Sequence, residues 1–231
     1  MNSGFTGFPK AGFDFLEELK ENNTRDWFQA HKKRYRETLQ DPLLDFIQAM
    51  VEPLAGLTPH FVADARRNGG SMFRIHRDVR FSKDKRPYKE HAACHFRHGL
   101  GRDVHAPGFY VHLATDEVFY GAGIWLPPSD ALYKIRRAIA DRPEAWSRVI
   151  EDKQLQKMFG GVGGDGLLRP PKGFAADSPH LEDLKRKTLF LMHRSSPEAA
   201  QKPEFLPDVV KAYQAAMPMM HFLCKAVDVP C

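Results

Sequence analysis

Hydrophobic positions recur at helical spacing through the first third of the chain. Phe13, Leu16 and Leu19 fall three apart, and Asn22-Asn23 stops the run. Thr24 is placed to cap a second helix in which Trp27, His31 and Tyr35 lie four apart, with Phe28 beside them. Asp41-Pro42 has the form of an N-cap followed by proline at the first helical position. It predicts a third helix that turns Leu43, Leu44, Ile47, Met50, Val51 and Leu54 inward.

Between residues 72 and 125 the period shortens to alternation. One segment, SMFRIHRDVRF, sets Phe73, Ile75, Val79 and Phe81 on one face and Arg74, His76, Asp78 and Arg80 on the other. A second sets Ala92, Cys94 and Phe96 against His91, His95 and Arg97, and a third sets Phe109, Val111 and Leu113 against Tyr110 and His112. After a turn at Thr115-Asp116, EVFYGAGIW supplies a fourth. Four strands with short connections predict an antiparallel sheet with one apolar and one polar face.

Helical spacing then returns. Ser129 is placed to cap a helix with Leu132, Ile135 and Ile139 inward, and Pro143 opens another with Trp146, Val149 and Ile150. The Gly- and Pro-rich stretch 160–179 reads as loop or hairpin. Pro207 starts a long helix through Val210, Tyr213, Met217, Met220 and Cys224, which Pro218 is expected to kink. The fold class that follows is α+β: an antiparallel sheet of four or more strands packed against helices from the N- and C-terminal thirds. Residues 5–226 are expected to form a single domain, and 227–231 a frayed tail.

Composition agrees with a globular chain. Of 231 residues, 42% are hydrophobic and 27% charged, which excludes disorder over most of the length. No apolar run approaches the roughly 18–20 residues of a membrane span, and the opening residues lack the charged start and apolar block of a secretory signal. Cys94, Cys224 and Cys231 form no CxxC pair and are expected as free thiols in a cytoplasmic protein.

Charge changes the picture more than composition does. The net charge is +5, and residues 74–89 hold seven Lys or Arg against Asp78 and Asp84, so this segment carries the whole excess. Such concentration points to a local site and not to a general nucleic-acid coat. Guanidinium forks bind phosphate or carboxylate through paired hydrogen bonds, and a loop lysine adds a point charge. Arg74, Arg80, Lys83, Lys85 and Lys89 are the candidate anion contacts, Tyr88 a stacking or hydrogen-bonding partner, and Asp78 and Asp84 the groups that orient the cations. The competing view is a solvated loop. Against it, Arg77 falls on the apolar face and needs an acidic partner, Asp84 or Asp26, because a buried unpaired charge costs several kcal/mol.

Other motifs carry less. His76, His91, His95, His98, His105 and His112 cluster in sequence, but strand positions i and i+4 lie about 13 Å apart, too far for one metal. No metal and no cofactor is expected. Gly161 to Gly166 matches G-x-G-x-x-G in letters only, since no strand precedes it and no helix follows. Cys94 points to the apolar side and reads as a buried, inert thiol. Lys32, Lys33, Arg34 and Arg36 read as a solvated helix face.

The segments FLEELKENNTRDWFQAHKKRY, FRIHRDVRFSKDKRPYK, PGFYVHLATDEVFYGAGIW and LLRPPKGFAADSPHLEDLKRK occur in that order. Through them the chain resembles the bacterial and fungal proteins grouped as domain-of-unknown-function family 2461. The likeness spans about residues 5 to 225, and Arg77, Asp78, Arg80, Phe81, Asp84, Lys85, Pro87, Tyr88 and Lys89 all fit its most specific segment. It implies one full-length domain and no enzyme class.

Three functions compete. The first is a domain binding a phosphate- or carboxylate-bearing ligand through residues 74–89, with nucleic acid a less favoured form of that ligand. The second is an enzyme acting on a phosphoester or acyl substrate, with Asp78 or His76 as general base. The third makes the cluster an ion-pair network that fixes the loop of a protein-interaction domain.

Overall fold

The computed structural model describes residues 4–100 and 107–231. Helices α1 (Lys10–Glu21), α2 (Arg25–Ala30), α3 (Lys32–Tyr35), α4 (Asp41–Ala49) and α5 (Val51–Leu57) open the chain. Thr24 caps α2 as its sequence predicts, its hydroxyl accepting from the Trp27 N–H at 3.3 Å. Asp41 does not cap α4. Its backbone is already helical, and its N–H reaches back to the Arg36 carbonyl across a π turn at Arg36–Gln40. Pro42 has no N–H to offer the preceding turn, and a wider turn accommodates that loss.

Strands β1 (Phe61–Val62), β2 (Ala92–His98), β3 (Gly108–Leu113), β4 (Val118–Ile124) and β5 (Leu189–Ser195) form one sheet in sequence order. Every neighbouring pair is antiparallel. Helices α6 (Ser129–Asp141), α7 (Pro143–Ile150), α8 (Lys153–Phe159) and α9 (Leu181–Lys185) lie between β4 and β5. The short α10 (Pro197–Ala200) and the long α11 (Phe205–Ala226) follow. β5 escapes the periodicity because Leu189-Phe190-Leu191-Met192 is a continuous apolar run, which fits a helix as well as a strand.

One face of the sheet holds the core. Tyr213 of α11 packs on Phe109 with ring centroids 4.5 Å apart, and Phe205 meets Tyr120 edge-on at 5.6 Å. Phe46 of α4 bridges Phe96 and Phe205. Trp146 of α7 packs against Phe222, and its indole N–H donates to Asp183 at 2.7 Å. Residues 227–231, for which fraying is expected, lie against this core, with the Pro230 carbonyl 2.7 Å from His98 Nε2.

The expected strand over 71–81 does not form. Met72 bridges to Cys94 at the edge of β2, and the chain then leaves the sheet. It folds back on itself instead: the Arg77 N–H donates to Pro87 O at 2.9 Å and the Lys89 N–H to Ile75 O at 2.8 Å. Inward–outward alternation survives the loss of the ladder, with Ile75 buried and Arg74, His76, Asp78 and Arg80 exposed, but Phe81, expected inward, is 95% exposed. What redirects the chain is Tyr88, 2% exposed and stacked on Phe28 at 4.0 Å. Asn23 grips its backbone from the α1–α2 junction, accepting from the Tyr88 N–H at 3.1 Å and donating to Tyr88 O at 3.0 Å. The amide thus stands in for a strand neighbour.

Replacing Asn23 by alanine strands two buried backbone groups and is expected to destabilise the fold by about 2 kcal/mol. Urea unfolding measures this, and an unchanged midpoint would show that the clamp contributes nothing.

Candidate anion-binding site

Three of the basic segment's seven cations, Arg77, Arg80 and Arg86, are paired with nearby carboxylates. Arg80 forks onto Asp78, Nη2 to Oδ2 at 2.7 Å. Asp84 accepts from Arg77 at 2.6 Å and from Arg86 at 2.7 Å, and Arg86 also pairs with Glu90. Lys85 donates to the Val79 carbonyl at 3.0 Å. Arg77 keeps 26% of its side chain exposed, so it is paired as expected but only partly buried. These contacts hold both carboxyls below their ordinary range: Asp78 falls to about 2 through the Arg80 fork, and Asp84 lower still through Arg86 and then Arg77. A carboxylate held that acidic is a poor general base at neutral pH, which weakens the enzyme reading that rests on Asp78.

The remaining predicted site residues separate. Tyr88 is in the core, as described, and cannot meet a ligand. Lys83 is exposed at the loop tip. His76 lies against Tyr88 and Phe28, away from the sheet histidines. His105 lies outside the described residues. Lys89 is half-buried, its ammonium 5.1 Å from the Phe73 ring centre, and its pKa is lowered by burial and then by Arg74. Among the described residues no group of three or more His, Cys, Asp or Glu is placed to hold a metal. Cys94 is fully buried on the core face, and burial pushes its thiol pKa up.

Arg74, of the predicted contacts, lines a described cavity. β1 and Met72 use the same edge of β2, and the chain between them leaves as a loop. The base of that loop is clamped twice: the Ser71 N–H donates to Asp64 O at 2.8 Å, and the Asp64 N–H donates to the Ser71 hydroxyl at 2.9 Å. Beneath it lies a pocket of about 250 Å³ lined by Arg67, Arg74, Arg97, His95 and Phe73 together with residues 68–72. No carboxylate is among its described lining residues. Arg67 is held by Asp41 at 2.9 Å, and Arg97 donates to Gly70 O at 3.3 Å.

His95 and Arg97 project from the face of β2 opposite Cys94 and Phe96, as alternation predicts. Gly108 faces His95 from β3, and any Cβ there would overlap the imidazole Nε2, so the glycine lets the ring lie down on the sheet. The pocket residues Arg67 and Arg97 are absent from the expected site because the sequence separates them from Arg74. The signal that could have found them is the basic turn Arg66-Arg67-Asn68-Gly69-Gly70, which turn composition marks as a loop.

The fold and pocket define an α+β protein whose sheet is covered by helices on one face and carries a cationic pocket at its interrupted edge. The chain belongs to the family described as conserved hypothetical protein (DUF2461), whose sequence profile matches residues 11–222. No curated protein shows a significant match to it. Among the described residues no helix is long and apolar enough to cross a membrane.

Burial lowers His91, His95 and His112 to about 4 from an ordinary 6.5. Nearby positive charge adds to this, from His112 at His91 and from Arg97 at His95. The unfolded chain therefore binds more protons than the folded one between about pH 4 and 6.5, and stability rises with pH across that window. Lowering the pH from 7 to 5 is expected to cut stability by up to about 1.4 kcal/mol per unit for each histidine. His95→Gln should flatten the slope, whereas a urea midpoint independent of pH over this range would contradict burial of neutral imidazoles.

Proposed function

We propose that the protein binds a small anionic ligand, bearing phosphate or carboxylate, in the pocket beneath the loop that interrupts the edge strand. The observation that carries this reading is the convergence of Arg67, Arg74 and Arg97 on one cavity with no acidic residue among its described lining. Asp41 and Asp64 already offset Arg67 and Arg97, and an anion in the hollow meets the charge on Arg74. Arg74 is the central contact, since no ion pair engages it among the described residues, whereas Arg67 already has Asp41. His95 supplies a neutral imidazole to the floor.

This reading moves the site from the tip of the basic segment to its root. Arg80 and Arg86 serve the loop's own structure, because Asp78 and Asp84 meet their charges. That favours the ion-pair network for residues 77–86 and leaves ligand binding to Arg74 and its neighbours.

Arg74→Ala is expected to weaken inorganic phosphate binding about tenfold, the loss of one charge-assisted contact, and to leave the melting temperature nearly unchanged. Arg80→Ala and Lys83→Ala should leave the affinity as it was. Calorimetric titration of the three variants at fixed low salt tests this. Equal affinity in the wild type and Arg74→Ala would remove the pocket from consideration.

A further inference from the structure

The pocket opens onto a row of rings. Phe73 lies nearly parallel to His95, with centroids 6.2 Å apart, and both line the cavity. From Phe73 the row continues to Tyr110 at 6.1 Å, to Phe119 at 5.7 Å and to His112 at 4.6 Å, and it ends at His91, 4.4 Å further. Every one of these rings is partly exposed. His95, Tyr110, His112 and Phe119 occupy outward positions on β2, β3 and β4, on the face opposite Cys94, Phe96 and Phe109; Phe73 follows the Met72 bridge and His91 precedes β2.

A sheet face that merely meets water carries polar and charged side chains in alternation with the core. Here Phe73, Tyr110 and Phe119 are contiguous and partly exposed instead, and contiguous aromatic surface rimmed by cations marks a surface for a partner. The imidazoles are neutral at pH 7 because burial disfavours their charge, so they present flat faces and not cations. Tyr110 Oη lies 3.2 Å from His112 Nδ1, which ties these two side chains together. Charge sits at one end, in the arginine pocket, and aromatic and imidazole rings extend from it.

Resting on the anion reading above, we infer that the ligand is a nucleotide unit: its phosphate takes the pocket at Arg74, and its planar base stacks on Phe73, which lines the same cavity. Every base has a π-face, so such a platform selects for a ring and not for base identity.

Calorimetric titration of the full chain with inorganic phosphate, ribose 5-phosphate, adenosine and adenosine and uridine monophosphates tests the inference. Both monophosphates are expected to bind about tenfold more tightly than ribose 5-phosphate, the scale of one base–aromatic stack. Phe73→Leu should abolish that preference and leave the ribose 5-phosphate affinity unchanged. Equal affinity of the wild type for nucleotide and sugar phosphate overturns the stacking inference while preserving the anion site. Failure of every phosphate to bind, or adenosine binding as tightly as its monophosphate, overturns the anion reading and the nucleotide with it. A short single-stranded oligonucleotide separates the two sources of such a unit: binding tighter than the monophosphates assigns a strand, weaker binding assigns the free nucleotide, and either upholds the stack. The comparison among ligands needs only the wild type, so it stands even if Phe73→Leu fails to fold.

Discussion

The contact on which the architecture turns is the seating of α11 across the sheet through Tyr213 and Phe205. Tyr213 reaches Phe109 and Phe96, Phe205 reaches Tyr120, and the Tyr213 hydroxyl donates to the Tyr110 carbonyl at 3.2 Å. Those contacts commit one face of β2, β3 and β4 to the interior. Period-two alternation then assigns His95, Arg97, Tyr110, His112 and Phe119 to the other face without further choice. A sheet with a dry side and a wet side is therefore set by a single helix, and the candidate site inherits its position from that asymmetry.

The second constraint lies at the sheet edge. An unprotected edge strand offers unpaired backbone groups to any passing chain. Here the edge of β2 is covered in two short pieces, β1 and Met72, with a clamped loop between them. The break covers the edge and also makes the hollow into which Arg67 and Arg74 converge. Beyond Met72 the chain turns away because Tyr88 gains more by burial against Phe28 than a continued ladder would offer, and Asn23 satisfies its backbone there.

Charge density by itself misleads about where a ligand binds. Residues 74–89 carry the net excess, yet Asp78, Asp84 and Glu90 engage Arg80, Arg77 and Arg86 at hydrogen-bonding distance. Two carboxylates within the segment and one just after it tie up three of its cations, and the exposed pairs add little to stability individually. A cation count registers the total. Only the geometry distinguishes a guanidinium that faces a carboxylate from one that faces a cavity.

The sequence by itself determined the α+β class, α1 and its stop, the Thr24 cap, three of the five strands and the two-faced character of the sheet. These depend on neighbours within a few residues, where periodicity and capping chemistry act. It also placed Cys94 inward and His95 outward, since strand parity is local. The tertiary structure decided the fate of 71–81, where the chain keeps its alternation but leaves the sheet as Tyr88 packs on Phe28, far away in the chain. It decided that Asp41 continues a helix across a π turn, and that the apolar run at Leu189 is a strand against β4. It alone assembled Arg67, Arg74, His95 and Arg97, because a pocket made across a sheet edge depends on distances that no spacing along the chain encodes.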